Sequence, residues 1–188
     1  IAGVAGNGQS ELLEAISGIR RAQSGTVSLN GSAIDVTGHV DPAELRKRGL
    51  AHVPEDRHHV GLVLKFEESE NAILGYHDDP KYRKGLLLDI DAIRADAEEK
   101  IAAYDIRPPN PRLKTANFSG GNQQKIVLAR EMERSPDVLI IGQPTRGVDV
   151  GAIEFIHRRI IEMRDQGKAV LLVSVELDEI RALSDRIL

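Results

Sequence analysis

Gly3, Gly6 and Gly8, followed by Gln9 and Ser10, have the types and spacing of a loop that cradles phosphate. The general pattern is Gly, four residues, Gly, Lys, then Ser or Thr, and here Gln9 stands where the lysine belongs. Glycines let backbone N–H groups close around phosphate oxygens, and the helix that follows adds its positive end. Gln9 can donate hydrogen bonds but supplies no charge. The candidate nucleotide-binding residues are therefore Gly3, Gly6, Asn7, Gly8, Gln9, Ser10 and Glu11, shaped for a nucleotide and weakened for chemistry. Two other readings compete. An ordinary tight turn between a strand and a helix would need the same glycines. A dinucleotide fingerprint would need a third glycine in the helix, which this chain lacks.

The elements that must hold this loop follow from periodicity. Leu12, Leu13 and Ile16 are expected on one face of a helix that Gly18 ends. Residues 26–29 alternate like a strand, and Asn30-Gly31 signals a hairpin. Asp41-Pro42 starts a short helix, with Asp as cap and Pro in the first turn. Residues 50–53 read as a buried strand that ends at Pro54. Residues 62–113 carry little strand signal. They offer a short helix at 70–75, favoured at its start by the acidic run 67–70, and a longer one at 89–104 with Ile93, Ala97 and Ile101 at intervals of four. Pro108, Pro109 and Pro111 stop it. Alternation then returns: a helix at 120–134, an apolar strand at 138–141, an amphipathic helix at 152–166, a strand at 169–173, a helix at 176–183, and the start of another strand at 185–188. Strand, helix, strand implies right-handed parallel crossovers, so an α/β core with a helical insertion is expected.

Composition bounds the rest. At 188 residues the chain suits one domain, or one with an insertion, and needs no disulfide or metal staple. It has no cysteine, which removes disulfides and thiolate metal sites and fits a reducing compartment. A net charge of -4 supplies no broad field for nucleic acid. The longest apolar run, at 169–175, falls far short of the ~20 residues that span a bilayer, so no direct membrane insertion is expected. His52, His58 and His59 lack acidic or thiol partners at metal-ligand spacing. The chain begins at Ile1, directly before the loop, which suggests a fragment with truncated N-terminal strands.

A second motif decides between the readings of the loop. Asn117-Phe118-Ser119-Gly120-Gly121-Asn122-Gln123-Gln124-Lys125 resembles the signature motif of ATP-binding-cassette (ABC) ATPases. Ser119, Gly120 and Gly121 fall at a helix start, where unpaired N–H groups and the helix dipole favour a phosphate. Asn122 and Gln123 complete the motif. The order along the chain (loop, helical insertion, signature, buried strand) is also similar to that family. Ile140-Ile141-Gly142-Gln143-Pro144-Thr145-Arg146-Gly147-Val148-Asp149 resembles the Walker B strand and the D-loop, with Asp149 the D-loop residue. Glu55, in Val53-Pro54-Glu55-Asp56-Arg57, falls at the Q-loop, and Ser174-Val175-Glu176-Leu177 resembles the switch segment. The wording around the signature is closest to the C-terminal cassette of two-cassette importers for ribose-like sugars and nucleosides. Glu55-Asp56-Arg57 and Gln143-Pro144 tilt it to the nucleoside branch.

The resemblance also exposes losses. Gln9 replaces the loop lysine, Gly142 the aspartate that helps hold Mg²⁺, and Gln143 the glutamate that handles the attacking water. Glu55 replaces the Q-loop glutamine and Val175 the switch histidine. Losing a charged hydrogen bond removes roughly 1.5–3 kcal/mol, which nucleotide binding can survive. Losing the proton-handling carboxylate removes roughly 10²–10⁴ in rate. No catalytic residue is therefore expected in this half-site, with Gln9, Gly142, Gln143 and Val175 as its degenerate positions. ATP would be held weakly, and Mg²⁺ weakly through Ser10 or not at all.

The resemblance implies a RecA-like P-loop NTPase core, mainly a parallel sheet with flanking helices, at residues 1–61 and 135–188. It implies an inserted α-helical subdomain, including the signature and its helix, at 62–134. It implies two partners: a first nucleotide-binding cassette of the same polypeptide, whose ATP site this chain's signature would complete in trans, and transmembrane permease subunits. Leu62, Val63, Leu64 and Phe66 are candidates for the permease contact. The expected place is the cytoplasm, peripheral at the inner face of the cell membrane through the permease. Two alternatives stay open at this point: an autonomous P-loop ATPase using unusual residues, and a nucleotide-free interaction scaffold.

Overall fold

The computed structural model describes residues 1–4 and 6–188. Ala5, inside the glycine-rich loop, lies outside the described residues. The chain divides into two compact units, one of Ile1–Glu55, Ser135–Arg146 and Phe155–Leu188, the other of Asp56–Arg134 and Gly147–Glu154.

The first unit is α/β. Its centre is a parallel sheet in the order β3 (Leu50–Val53), β6 (Val138–Gly142), β7 (Ala169–Val173). Leu50 pairs with Val138, and Val138 with Ala169. Leu139, Ile140 and Ile141 are wholly buried, as a central parallel strand covered on both faces requires. Ahead of the sheet run α1 (Gln9–Ile16), the hairpin β1 (Val27–Leu29) and β2 (Ser32–Ile34), and α2 (Pro42–Lys47). Asn30 and Gly31 both take positive φ, 50° and 76°, which is the backbone a two-residue hairpin turn demands. Asp41 caps α2 by accepting the N–H of Ala43 at 2.8 Å. Leu13, Leu29, Ile34, Val36, Leu45, Leu50, Ile140 and Val173 form one apolar cluster that fixes α1 on the sheet.

Two expectations need correction in this unit. Leu12 is 41% exposed, because a helical step of about 100° carries it off the face that buries Leu13. α1 ends at Gly18 as expected: it follows the cap residue Ser17 at φ 79° and donates its N–H to the Ala15 carbonyl at 3.3 Å. Residues 185–188 form no strand; the carbonyl of Leu188 accepts the N–H of Ala2 at 2.9 Å, and Ala2 makes a single parallel bridge to Ser174. The unit also contains α7 (Leu177–Leu183) and the residues of α6 (Val150–Asp165) from Phe155 onward.

The second unit is mainly helical: α3 (Glu68–Asn71), α4 (Ile90–Ala103) and α5 (Gly120–Met132). Ile93, Ala97 and Ile101 of α4 are buried, as their spacing implies. α3 is shorter and earlier than expected. The side chains of Glu67 and Glu70 close a capping box around its start, while Glu68 turns wholly into the interior. A small hairpin, β4 (Arg83–Lys84) with β5 (Leu87–Leu88), was not anticipated. Two-residue strands are too short to show a period, and Gly85 at φ 67° supplies the turn. Buried polar groups are tied together here. Asn71 Nδ2 donates to Thr115 Oγ1 at 2.8 Å, and Arg130 donates to Glu131 and to the Gly61 carbonyl at 2.8 and 2.7 Å.

Candidate functional site

The glycine-rich loop leads into α1, whose N-cap is Gly8 at φ 93°. Gly6 takes φ 88°, and around both glycines a Cβ would meet open space. Successive loop amides with an αL residue make a concavity suited to an anion. Gln9 lies folded back over that concavity. Its Nε2 donates to the Val4 carbonyl at 2.9 Å, and its Oε1 accepts the Asn7 N–H at 3.1 Å. A Cβ at Gly3 would collide with the same Nε2. Glu11 sits exposed in the first turn of α1.

Ser10 Oγ donates to Glu55 Oε2 at 2.5 Å, and Arg146 Nη1 donates to Glu55 Oε1 at 3.4 Å. Glu55 follows the end of β3, one strand away from Gly142 at the end of β6. A Cβ on Gly142 would fall 2.7 Å from Leu13 Cδ1 and 3.3 Å from Glu55 Cβ. Any side chain at position 142 would therefore require Leu13 to shift. The donor set left for Mg²⁺ is one hydroxyl already bonded to one carboxylate, with an arginine beside it, and it does not fit a catalytic Mg²⁺. Among the described residues no group of three or more His, Cys, Asp or Glu could hold a metal ion.

Gln143 is buried at φ 46° and donates its N–H to the Val173 carbonyl at 2.8 Å. Its Oε1 accepts the N–H of Val175 at 3.3 Å. Val175 itself presents an alkyl group, 42% exposed, that can neither donate to nor accept from a phosphate. The first unit thus brings together Gln9, Ser10, Glu55, Gly142 and the loop glycines, and joins Gln143 to Val175.

The second unit holds the serine–glycine motif. Ser119 is the N-cap of α5, and Asn122 Nδ2 donates to its Oγ at 2.9 Å. Asn122 Oδ1 accepts the N–H of Arg107 at 2.8 Å, which anchors that cap. Gln123 is buried and donates to the carbonyls of Thr115 and Phe118, both at 3.1 Å, while its Oε1 meets His58 Nε2 at 2.8 Å. It shapes the approach to the helix and does not face outward. Both glycines are needed for packing. A Cβ at Gly120 would lie 2.8 Å from the Gly147 carbonyl and 2.9 Å from Arg57 Nη2. One at Gly121 would lie 2.8 Å from Asp149 Oδ2 and 3.1 Å from Ala152 Cβ. Asp149 accepts the Ala152 N–H at 2.9 Å and so caps α6. Motif spacing could not reveal Arg57 as a neighbour of Gly120; they are distant in sequence and meet only through folding.

Of the apolar candidates for a permease contact, Leu62 is buried, whereas Val63 and Phe66 are 37% and 39% exposed. The pair is held by a turn in which Phe66 N–H donates to the Val63 carbonyl at 2.9 Å. Among the described residues no helix is long and apolar enough to cross a membrane.

Comparison with known proteins agrees with this architecture. The family model described as ABC transporter matches residues 1–146. The guanosine import ATP-binding protein NupO of Bacillus subtilis is 50% identical over 188 residues. The nucleoside import ATP-binding protein NupA of Lactococcus lactis is 46% identical over 187 residues, and the ribose import ATP-binding protein RbsA of Clostridium perfringens 39% over 189. These matches take in 100% of this chain but 36%, 36% and 37% of the relatives, so the chain spans about a third of their length. Among solved structures, the dimeric cassette MJ0796 bound to ADP and Pi superposes with a TM-score of 0.76 at 24% identity, covering 96% of this chain and 75% of that one. A nucleotide-free cassette from an ABC transporter gives 0.76 at 21% identity, covering 98% and 72%.

Proposed function

Since this chain belongs to the ABC transporter family, we propose that it is the degenerate second ATP-binding cassette of a two-cassette importer ATPase, serving nucleoside uptake. On this reading residues 1–61 and 135–188 act as the RecA-like core and residues 62–134 as the helical subdomain. The loop at Gly3–Ser10 forms a half-site that holds ATP weakly or only as scaffold. Ser119, Gly120 and Gly121 complete the competent ATP site of the first cassette, and Asp149 supports them through α6. The permease subunits dock beside Val63 and Phe66, which places the chain at the cytoplasmic face of the membrane. The higher identity to guanosine and nucleoside import proteins than to the ribose importer supports the choice of solute class.

One observation carries this reading: position 142 has no side chain and even a Cβ there would meet Leu13, while the cap at Ser119 is intact and exposed. ATP chemistry at a cassette needs a positioned metal and a proton acceptor, and Gly142 and Gln143 provide neither. A serine cap with free helix N–H groups needs only to present donors to a phosphate that is held elsewhere.

The test uses the complete two-cassette polypeptide. Ser119→Arg fills the cap with a bulky side chain and is expected to abolish ATP hydrolysis. Gln9→Lys is expected to leave turnover near that of the parent. Full turnover in Ser119→Arg would contradict the role in trans.

A further inference from the structure

One backbone donor and one backbone acceptor of the glycine-rich loop are already bound by a side chain of the chain itself. Gln9 uses both ends of its carboxamide on the loop: Nε2 donates to the Val4 carbonyl at 2.9 Å, and Oε1 accepts the Asn7 N–H at 3.1 Å. The Asn7 N–H is one of the donors that a phosphate oxygen would need. The absence of a Cβ at Gly3 is what lets Nε2 approach. The next residue is committed as well, since Ser10 Oγ donates to the Glu55 carboxylate at 2.5 Å.

We infer that Gln9 is the specificity-determining residue of this loop, acting as an internal occupant that keeps the triphosphate out. The inference rests on the reading of Gly3–Ser10 as the cassette's nucleotide half-site. A lysine at this position would bring positive charge to the phosphates. A glutamine brings a carbonyl oxygen carrying partial negative charge, and here that oxygen is already directed at the Asn7 N–H. For ATP to use the concavity, the carboxamide must leave both partners first. The open form is then a minor population, and apparent affinity falls by its fraction.

The idea separates cleanly from its alternative, that Gln9 is a feeble substitute for lysine that still helps to hold phosphate. Removing a helper weakens binding; removing an occupant strengthens it. The experiment is titration of this chain with ATP by calorimetry, for the parent, Gln9→Ala and Gln9→Lys. Gln9→Ala is expected to bind ATP about tenfold more tightly than the parent, the size of one or two net hydrogen bonds released. Equal or weaker binding by Gln9→Ala, with measurable binding by the parent or by Gln9→Lys, would overturn the occupant role and leave the half-site reading standing. No binding by any of the three at millimolar ATP would overturn the occupant role and the reading of this loop as a nucleotide site, leaving it as scaffold alone. A second measurement needs no variant. In the parent, the Asn7 amide is expected to be protected from hydrogen exchange and to keep its NMR shift on addition of ATP at concentrations below millimolar. Fast exchange, or a shift that saturates at low ATP, would overturn the inference even if Gln9→Ala fails to fold.

Discussion

Gln143 Oε1 accepts the backbone N–H of Val175 at 3.3 Å, so the side chain that follows β6 is bound to the backbone just beyond β7. A neutral amide oxygen accepts this hydrogen bond, less strongly than a carboxylate would, and it cannot take a proton from water. Gln143→Ala is expected to cost about 1 kcal/mol by stranding the Val175 N–H, read from urea unfolding. Gln143→Glu is expected to keep the fold and leave ATP turnover at background, because Gly142 and Gln9 remain. Measurable hydrolysis by Gln143→Glu alone would show that one carboxylate is enough.

Gly142→Asp tests whether the missing carboxylate can simply be put back. Its Cβ would sit 2.7 Å from Leu13 Cδ1, and Leu13 is 2% exposed in the apolar cluster of the first unit. The variant is expected to lose about 1–3 kcal/mol of stability through overpacking. Combining it with Leu13→Ala should recover part of that loss, although Leu13→Ala alone is destabilising. Denaturant midpoints of the four proteins in this double-mutant cycle measure the coupling.

Glu68 makes stability depend on pH. It is wholly buried, neither of its carboxylate oxygens has a hydrogen-bond partner, and burial pushes its carboxyl up to about 8 from an ordinary 4.5, against the opposing charge of Lys100. Between those two values the folded chain holds a proton that the unfolded chain has released. The Glu68 contribution to stability is therefore full below about 4.5 and is lost as pH rises towards 8. Glu68→Gln should remove this slope and raise stability near pH 8 by a few kcal/mol, on the order of one pKa unit per 1.4 kcal/mol. Thermal unfolding of both proteins across this pH range checks it; parallel profiles would contradict the assignment.

Gln123→Leu tests how the serine cap is held. The substitution leaves the carbonyls of Thr115 and Phe118 without the donor they now share and removes the partner of His58. A loss of about 1–3 kcal/mol is expected. In the complete two-cassette polypeptide hydrolysis should fall too, since Ser119 would lose its fixed position. Unchanged activity with reduced stability would confine Gln123 to a structural role.

Local signals carried much of the fold. Asp41-Pro42, Asn30-Gly31 and the apolar run at β6 each specify backbone or burial within a few residues, and the structure has an element at each place. What escaped depends on partners distant in the chain. The Ser10–Glu55 bond joins residues 45 apart, and the packing of Leu13 against position 142 joins α1 to β6. In the sequence Glu68 is one of the acids that favour the start of a helix, and only the surrounding fold decides that it is buried. The motif residues were readable as types and spacings. That Gln9 folds back on its own loop, and that Gln123 faces inward, are facts of side-chain geometry that no spacing encodes.

The most direct test of the central claim is the steady-state ATPase rate of this chain alone, purified, with Mg²⁺ and millimolar ATP. The proposed reading, a half-site without a lysine, a metal-binding aspartate or a proton acceptor, predicts a flat baseline, unchanged by Gln9→Lys. Sustained Mg²⁺-dependent turnover that disappears in Gln9→Ala would contradict it and make this loop a working active site.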